Sequence, residues 1–241
     1  MYIRNQIFAR ARLVAAVLLL CLLPVAAQSG AAVSAVTQAA GALVAQQEAG
    51  LSIDWSGLGR VAGEMVDAAF TNNSSAPMTV KLIPGIVLAD NDGESQSIML
   101  EINTEFELAP GETVALESVR AYCLEHEKDP PALGQGVDYQ VVTDVSGFAP
   151  AIKNLWAGLR LDLNGQYQPV LKPIQHRTLV IQRAIWASLG EPNPGSQEKL
   201  TTDLKKDAAT GEHGLSDDKI EWLSGRIWGD VEKTIQESPA E

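Results

Sequence analysis

The chain has 241 residues, 18 of them Lys or Arg and 30 Asp or Glu, giving a net charge of −12. Such an excess of acid repels phosphate backbones and anionic headgroups, which argues against nucleic acid and membrane surfaces as partners. Two cysteines, Cys21 and Cys123, are too few for a disulfide framework.

The first 27 residues read as a cleavable export signal. Arg4, Arg10 and Arg12 form a basic opening without acids, and an apolar run extends from Leu13 to Leu23. Pro24 breaks that run, and Val25-Ala26-Ala27 supplies the small residues that a signal peptidase needs. The run falls short of the about 20 residues that span a bilayer, so no stable membrane span is expected after cleavage. Leu20 stands before Cys21, where a lipidation site wants a small residue. Cleavage removes three of the 18 basic residues and leaves 15 against 30 acids, a net charge of −15. The expected location is extracytoplasmic: secreted, periplasmic or on the cell surface. Cys123 is then the sole cysteine of the mature chain. In an oxidising compartment it is buried and inert, paired with another chain, or chemically committed elsewhere.

Residues 28–50 are rich in Ala, Gln, Ser and Gly and read as a tether or a loose helix. Residues 51–145 carry strand patterns: Val61 to Asn72, Met78 to Leu88, Ser97 to Leu108 and Thr113 to Glu125. Asn72-Asn73-Ser74-Ser75, Asn91-Asp92-Gly93 and Pro110-Gly111 punctuate them. Alternation of apolar and polar residues from Ile98 to Leu108 predicts one wet and one dry face. Pro84-Gly85 should bend or bulge the second run. Residues 146–241 change to helical periodicity. Ile152, Leu155, Trp156 and Leu159 form one stripe, and Leu179, Gln182, Ile185, Trp186 and Leu189 a second. A last helix starts after Ser216, with stripe residues Ile220, Leu223, Ile227, Val231 and Ile235. Strands first and helices last predict an α+β fold: an antiparallel immunoglobulin-like β-sandwich followed by a C-terminal helical annex packed on it.

Few residue clusters suggest chemistry. In Cys123-Leu124-Glu125-His126-Glu127 a strand puts Cys123, Glu125 and Glu127 on one side and His126 on the other, so no metal site is expected. Asp90-Asn91-Asp92-Gly93-Glu94 has Ser95 where a calcium loop needs glycine and reads as a β-turn. No phosphate loop, nucleophile elbow or zinc-protease helix is present, and no cofactor is expected.

Two segments stand apart: Ala121-Tyr122-Cys123-Leu124, with Asp129-Pro130-Pro131 downstream, and Ile181-Gln182-Arg183-Ala184-Ile185-Trp186. Over residues 121–190 this pairing resembles the thioester (TQXA-type) domains of bacterial surface adhesins, with Ile181 in place of the family's threonine. The resemblance implies an internal thioester between the Cys123 thiol and the Gln182 acyl group, which captures amines covalently. A site of that kind must exclude water while it waits, and Tyr122 or Trp186 would supply an aromatic wall. Read without the resemblance, Cys123 is a small buried hydrophobe, and Ala184, Ile185 and Trp186 are a helix face packing on the sheet. The expected function is a secreted or cell-surface binding domain without turnover chemistry, its partner an unknown protein or surface ligand. A thioester adhesin is the alternative that the resemblance adds.

Overall fold

A computed structural model describes residues 26–163, 172–190, 195–210 and 215–238. The expected export signal through residue 25, with Cys21, lies outside them. Helix α1 (Ala26–Glu48) takes up the alanine-rich stretch. Alanine has the highest helix propensity, and its small side chain lets a helix lie close to its neighbours. Ala32, Val36, Ala40 and Leu43 recur at three- and four-residue spacing and are all buried. The stretch read as a tether or loose helix is therefore docked on the body of the protein.

Among the described residues nine strands follow: β1 (Leu51–Gly57), β2 (Ala62–Asn72), β3 (Met78–Leu82), β4 (Val87–Asp90), β5 (Ile98–Leu100), β6 (Thr104–Leu108), β7 (Thr113–Cys123), β8 (Gly136–Val137) and β9 (Tyr139–Val141). Seven form one antiparallel sheet, ordered β8-β1-β2-β7-β5-β4-β9, that curls toward a barrel, while β3 and β6 pair as a separate ribbon. Two runs that the residue pattern presents as single strands are each cut in two. The first breaks at Pro84-Gly85. Gly85 has φ +102° and donates its N–H to the Leu100 carbonyl at 2.8 Å. A Cβ there would stand 2.8 Å from Val36 Cγ2, so only glycine both turns the chain and leaves room for α1. The second run breaks between β5 and β6. Each run thus contributes one piece to the sheet and one to the ribbon.

The longest pairing joins β2 to β7, from Ala62 opposite Tyr122 to Thr71 opposite Thr113. A bulge interrupts it, where Ser118 adopts φ +56° and gives its N–H to the Asp67 carboxylate at 2.7 Å. Beyond the bulge β7 is buried on both faces. Val119, Ala121 and Cys123 point into the apolar filling of the β half, and Tyr122 and Leu124 into the layer shared with the helices.

Residues Ser146–Phe148 make a short 3₁₀ turn into α2 (Ala149–Arg160), followed by α3 (Pro173–Ser188), α4 (Gln197–Thr210) and α5 (Asp217–Gln236). The antiparallel α+β order and the helical C-terminal part expected from the sequence are both present. Helix α3 is central, packing on α2, α5 and β2. On α2, Gly158 makes this closeness feasible, because a Cβ there would lie 2.4 Å from Ile181 Cγ1. No helix among the described residues is long and apolar enough to cross a membrane.

Candidate functional site

One face of α3 repeats every four residues as Ile174, Thr178, Gln182 and Trp186, and all four line a cavity of about 930 Å³. The opposite walls come from residues 60–64 at the start of β2, from Gln96 ahead of β5, and from His126, Lys128 and Pro130 after β7.

Gln182 is fastened at the end of the β2–β7 ladder. β2 begins at Ala62, so beyond Val61 the peptide groups of Cys123 lack a continuing strand. The Cys123 N–H reaches the Val61 carbonyl at 3.3 Å and also donates to Gln182 Oε1 at 3.0 Å. In return Gln182 Nε2 donates to the Cys123 carbonyl at 2.8 Å. A side-chain carboxamide here takes the place of a peptide unit, which satisfies two buried backbone groups at once. Gln182 is itself buried. The Cys123 thiol donates to the Glu125 carbonyl at 3.0 Å.

Of the two aromatic residues expected to wall the site, Trp186 joins the apolar cluster that contains Cys123, and it lines the cavity. Its ring meets His126 edge-on at 5.1 Å, and the Arg183 guanidinium lies 5.4 Å from its centre. Tyr122 sits on the other face of β7, because successive strand residues alternate. Its hydroxyl donates to Glu101 Oε2 at 2.6 Å. Burial first, and then the Glu101 charge, push that hydroxyl's pKa far up, so it stays a protonated donor.

Glu101 is the hub that the sequence reading missed. Only 6% exposed, its carboxylate also accepts from Arg120 Nε at 3.1 Å and from Arg177 Nη2 at 2.6 Å. Arg120 in turn donates to Thr178 Oγ1 at 2.7 Å. Burial works against the Arg120 charge, but the bond to Glu101 and its charge outweigh it and raise the pKa. The network sets the register of α3 on the sheet one turn before Gln182. Farther along α3, Arg183 binds the Asp203 carboxylate of α4 at 2.6 Å, as does Lys199 of α4. Partial burial opposes the Asp203 charge, yet the two cations prevail and hold its pKa below the usual carboxylate value.

Among the described residues no group of three or more His, Cys, Asp or Glu is placed to hold a metal ion. Asp90 closes its own turn, accepting the Ser95 N–H at 2.6 Å and the Asp92 N–H at 3.4 Å. Comparison with family models, with curated proteins and with solved structures finds no match. The chemistry open to the site follows from its geometry. The Gln182 carboxamide is bonded to both peptide groups of Cys123 in a buried setting, the Cys123 N–H is aimed at the carboxamide oxygen, and the thiol bonds the Glu125 carbonyl.

Proposed function

We propose that this chain is an extracytoplasmic binding domain that attaches to its partner covalently, through an internal thioester between Cys123 and Gln182. The observation that carries this reading is the two-point contact of the Gln182 carboxamide with the Cys123 peptide groups. In the first step the Cys123 sulfur attacks Gln182 Cδ, and the charge that develops on Oε1 falls where the Cys123 N–H already points. The C–N bond breaks, and Nε2 leaves as ammonia with the thiol proton. In the second step an amine on the partner attacks the same carbon, the C–S bond breaks, and Cys123 regains its thiol proton from the amine. The product is an amide between Gln182 and the partner. Neither step needs a redox or metal co-reactant. Trp186 and the apolar cluster around Cys123 would keep water from the bond while it waits. We read the β half as an immunoglobulin-like carrier, since sheet and ribbon share one apolar filling.

A second reading has its own support. A glutamine bonded at both ends to one peptide unit is also a plain structural clamp, and the protein would then bind its partner without a covalent step.

Intact mass separates the two. The thioester form of the purified mature protein weighs one ammonia less than its sequence, takes up methylamine, and then exposes a thiol that iodoacetamide labels. Both Cys123→Ala and Gln182→Ala should restore the full sequence mass. A wild-type mass equal to that of the sequence, with no methylamine adduct, leaves the non-covalent reading.

A further inference from the structure

Strand β7 is paired along nearly its whole length on one side only. β2 accompanies it from Thr113 to Tyr122, whereas β5 meets only Ala121, Tyr122 and Cys123. The Glu101 N–H makes the last bond on that second side, to the Arg120 carbonyl at 2.8 Å, and the chain then crosses to β6 in the ribbon. Before the bulge, that side of β7 has no neighbouring strand among the described residues. The bond from the Asn72 N–H to the Glu112 carbonyl, at 3.0 Å, fixes which backbone groups are left over. Antiparallel neighbours bond at alternate residues, so Val114 and Leu116, opposite Phe70 and Ala68, continue the set. The N–H and C=O groups of Thr113 and Ala115 point the other way, along an exposed edge.

The inward side chains at this edge are incompletely covered. Val114 and Leu116 pack against the apolar filling of the β half but remain half-buried. Phe106 of the ribbon is half-buried too, and meets Phe70 edge-on at 5.3 Å. Charge decides what can lie alongside. From Glu101 to Val119 the chain carries five glutamates and no lysine or arginine. Glu101 is committed to Arg120 and Arg177, and Glu105 lies 3.5 Å from Lys81. Glu107, Glu112 and Glu117 are exposed and have no cation partner among the described residues. A second copy of the chain would set these acids against their own kind, and like charges opposed on paired strands are unfavourable. The acids thus guard the edge against self-association and leave it open to a basic strand.

We propose that β7 takes on an extended segment of the partner as a further strand, paired at Thr113 and Ala115, and that this segment alternates basic and apolar residues. Main-chain bonds to the bare edge supply the attachment. The apolar side chains of the added strand cover Val114 and Leu116, and the basic ones lie on the outward face within reach of Glu117. The docking edge does not depend on a thioester.

The test uses the full mature chain and two acetylated, labelled peptides of equal length, alternating valine with arginine in one and with glutamate in the other. Arginine in place of lysine keeps the probe inert toward any thioester. Fluorescence polarisation should show the arginine peptide binding about tenfold more tightly. The Thr113 and Ala115 amides, followed by NMR, should exchange rapidly in the unbound protein and slowly once the peptide is bound. Proline lacks an N–H and is tolerated on an edge whose N–H faces solvent, so Ala115→Pro should abolish binding with little change in the urea midpoint. Glu117→Lys, an exposed change that spares the β2 ladder, should weaken binding several-fold. Binding that both substitutions leave unchanged is general attraction to an acidic surface and overturns the docking edge. Slowed exchange at other amides but not at Thr113 and Ala115 does the same. Equal affinity for the glutamate peptide overturns the basic character of the partner strand. A wild-type dimer that Ala115→Pro dissociates overturns the choice of occupant.

Discussion

Glu101 illustrates how a single buried carboxylate can fix a site it does not line. It takes three donors from three directions, Arg120, Tyr122 and Arg177, and so joins β7 to the start of α3. Removing the shared acceptor would leave two guanidinium groups and a hydroxyl without their charge partner in a poorly solvated place. Glu101→Ala should therefore destabilise the protein by roughly 3–5 kcal/mol, read from the midpoint of urea unfolding. Glu101→Gln, which keeps an acceptor, should lose less. The network escaped the sequence reading because its members lie 19 to 76 residues apart and belong to no motif. Cys123 and Gln182 are just as distant in the chain. They were expected as a pair only through the resemblance of their two segments to thioester domains; the structure bonds the Gln182 carboxamide to the Cys123 peptide groups. Tyr122 was misjudged as a wall for a local reason: on a strand, the neighbour of an inward residue points the other way.

At the level of elements, α3 is held to both α2 and α5 by a polar contact that apolar periodicity does not report. Asn154 on α2 donates to the Ala184 carbonyl at 2.8 Å, and buried His176 meets Asp230 of α5 at 2.8 Å. Burial disfavours the His176 imidazolium more than Asp230 favours it, so the folded pKa lies below that of an ordinary histidine. As pH falls, the unfolded chain takes up this proton first. The stability contributed by the neutral ring is thus complete above about pH 6.5 and is lost as pH drops from there toward the folded value. The melting temperature should fall between about pH 7.5 and about pH 5.5, and His176→Gln should flatten that slope. The strand runs were visible in the residue pattern, but not their division between sheet and ribbon. Pro84-Gly85 announced the first break. The second falls at Glu101-Ile102-Asn103, with no proline or glycine: Glu101 still gives its N–H to the Arg120 carbonyl, while its side chain gathers three donors. Helix α1 was underestimated because half of its stripe is alanine, which contributes close packing with little hydrophobic contrast.

For the molecule as a whole, the order of strands then helices was readable because hydrophobic periodicity changes once, near Pro150. The proposed Cys123–Gln182 bond would also tie the β half to the helical half. Closing a loop of about 60 residues restricts the unfolded chain and stabilises the fold by about 4 kcal/mol on the chain-entropy view. Methylamine-treated protein should accordingly unfold at lower urea than the untreated form, with Gln182→Ala behaving like the treated protein.

The position of Gln182 on α3 has a mechanical consequence for a domain that grips its partner through it. A pull by such a partner would enter at the third of the five described helices, which the Glu101 network keeps tied to β7. The strain is then shared by α2, packed against both α3 and α1, and by the clasps of Asn154 and His176. Attachment would thereby load the helical layer first and reach the strands through the Glu101 network.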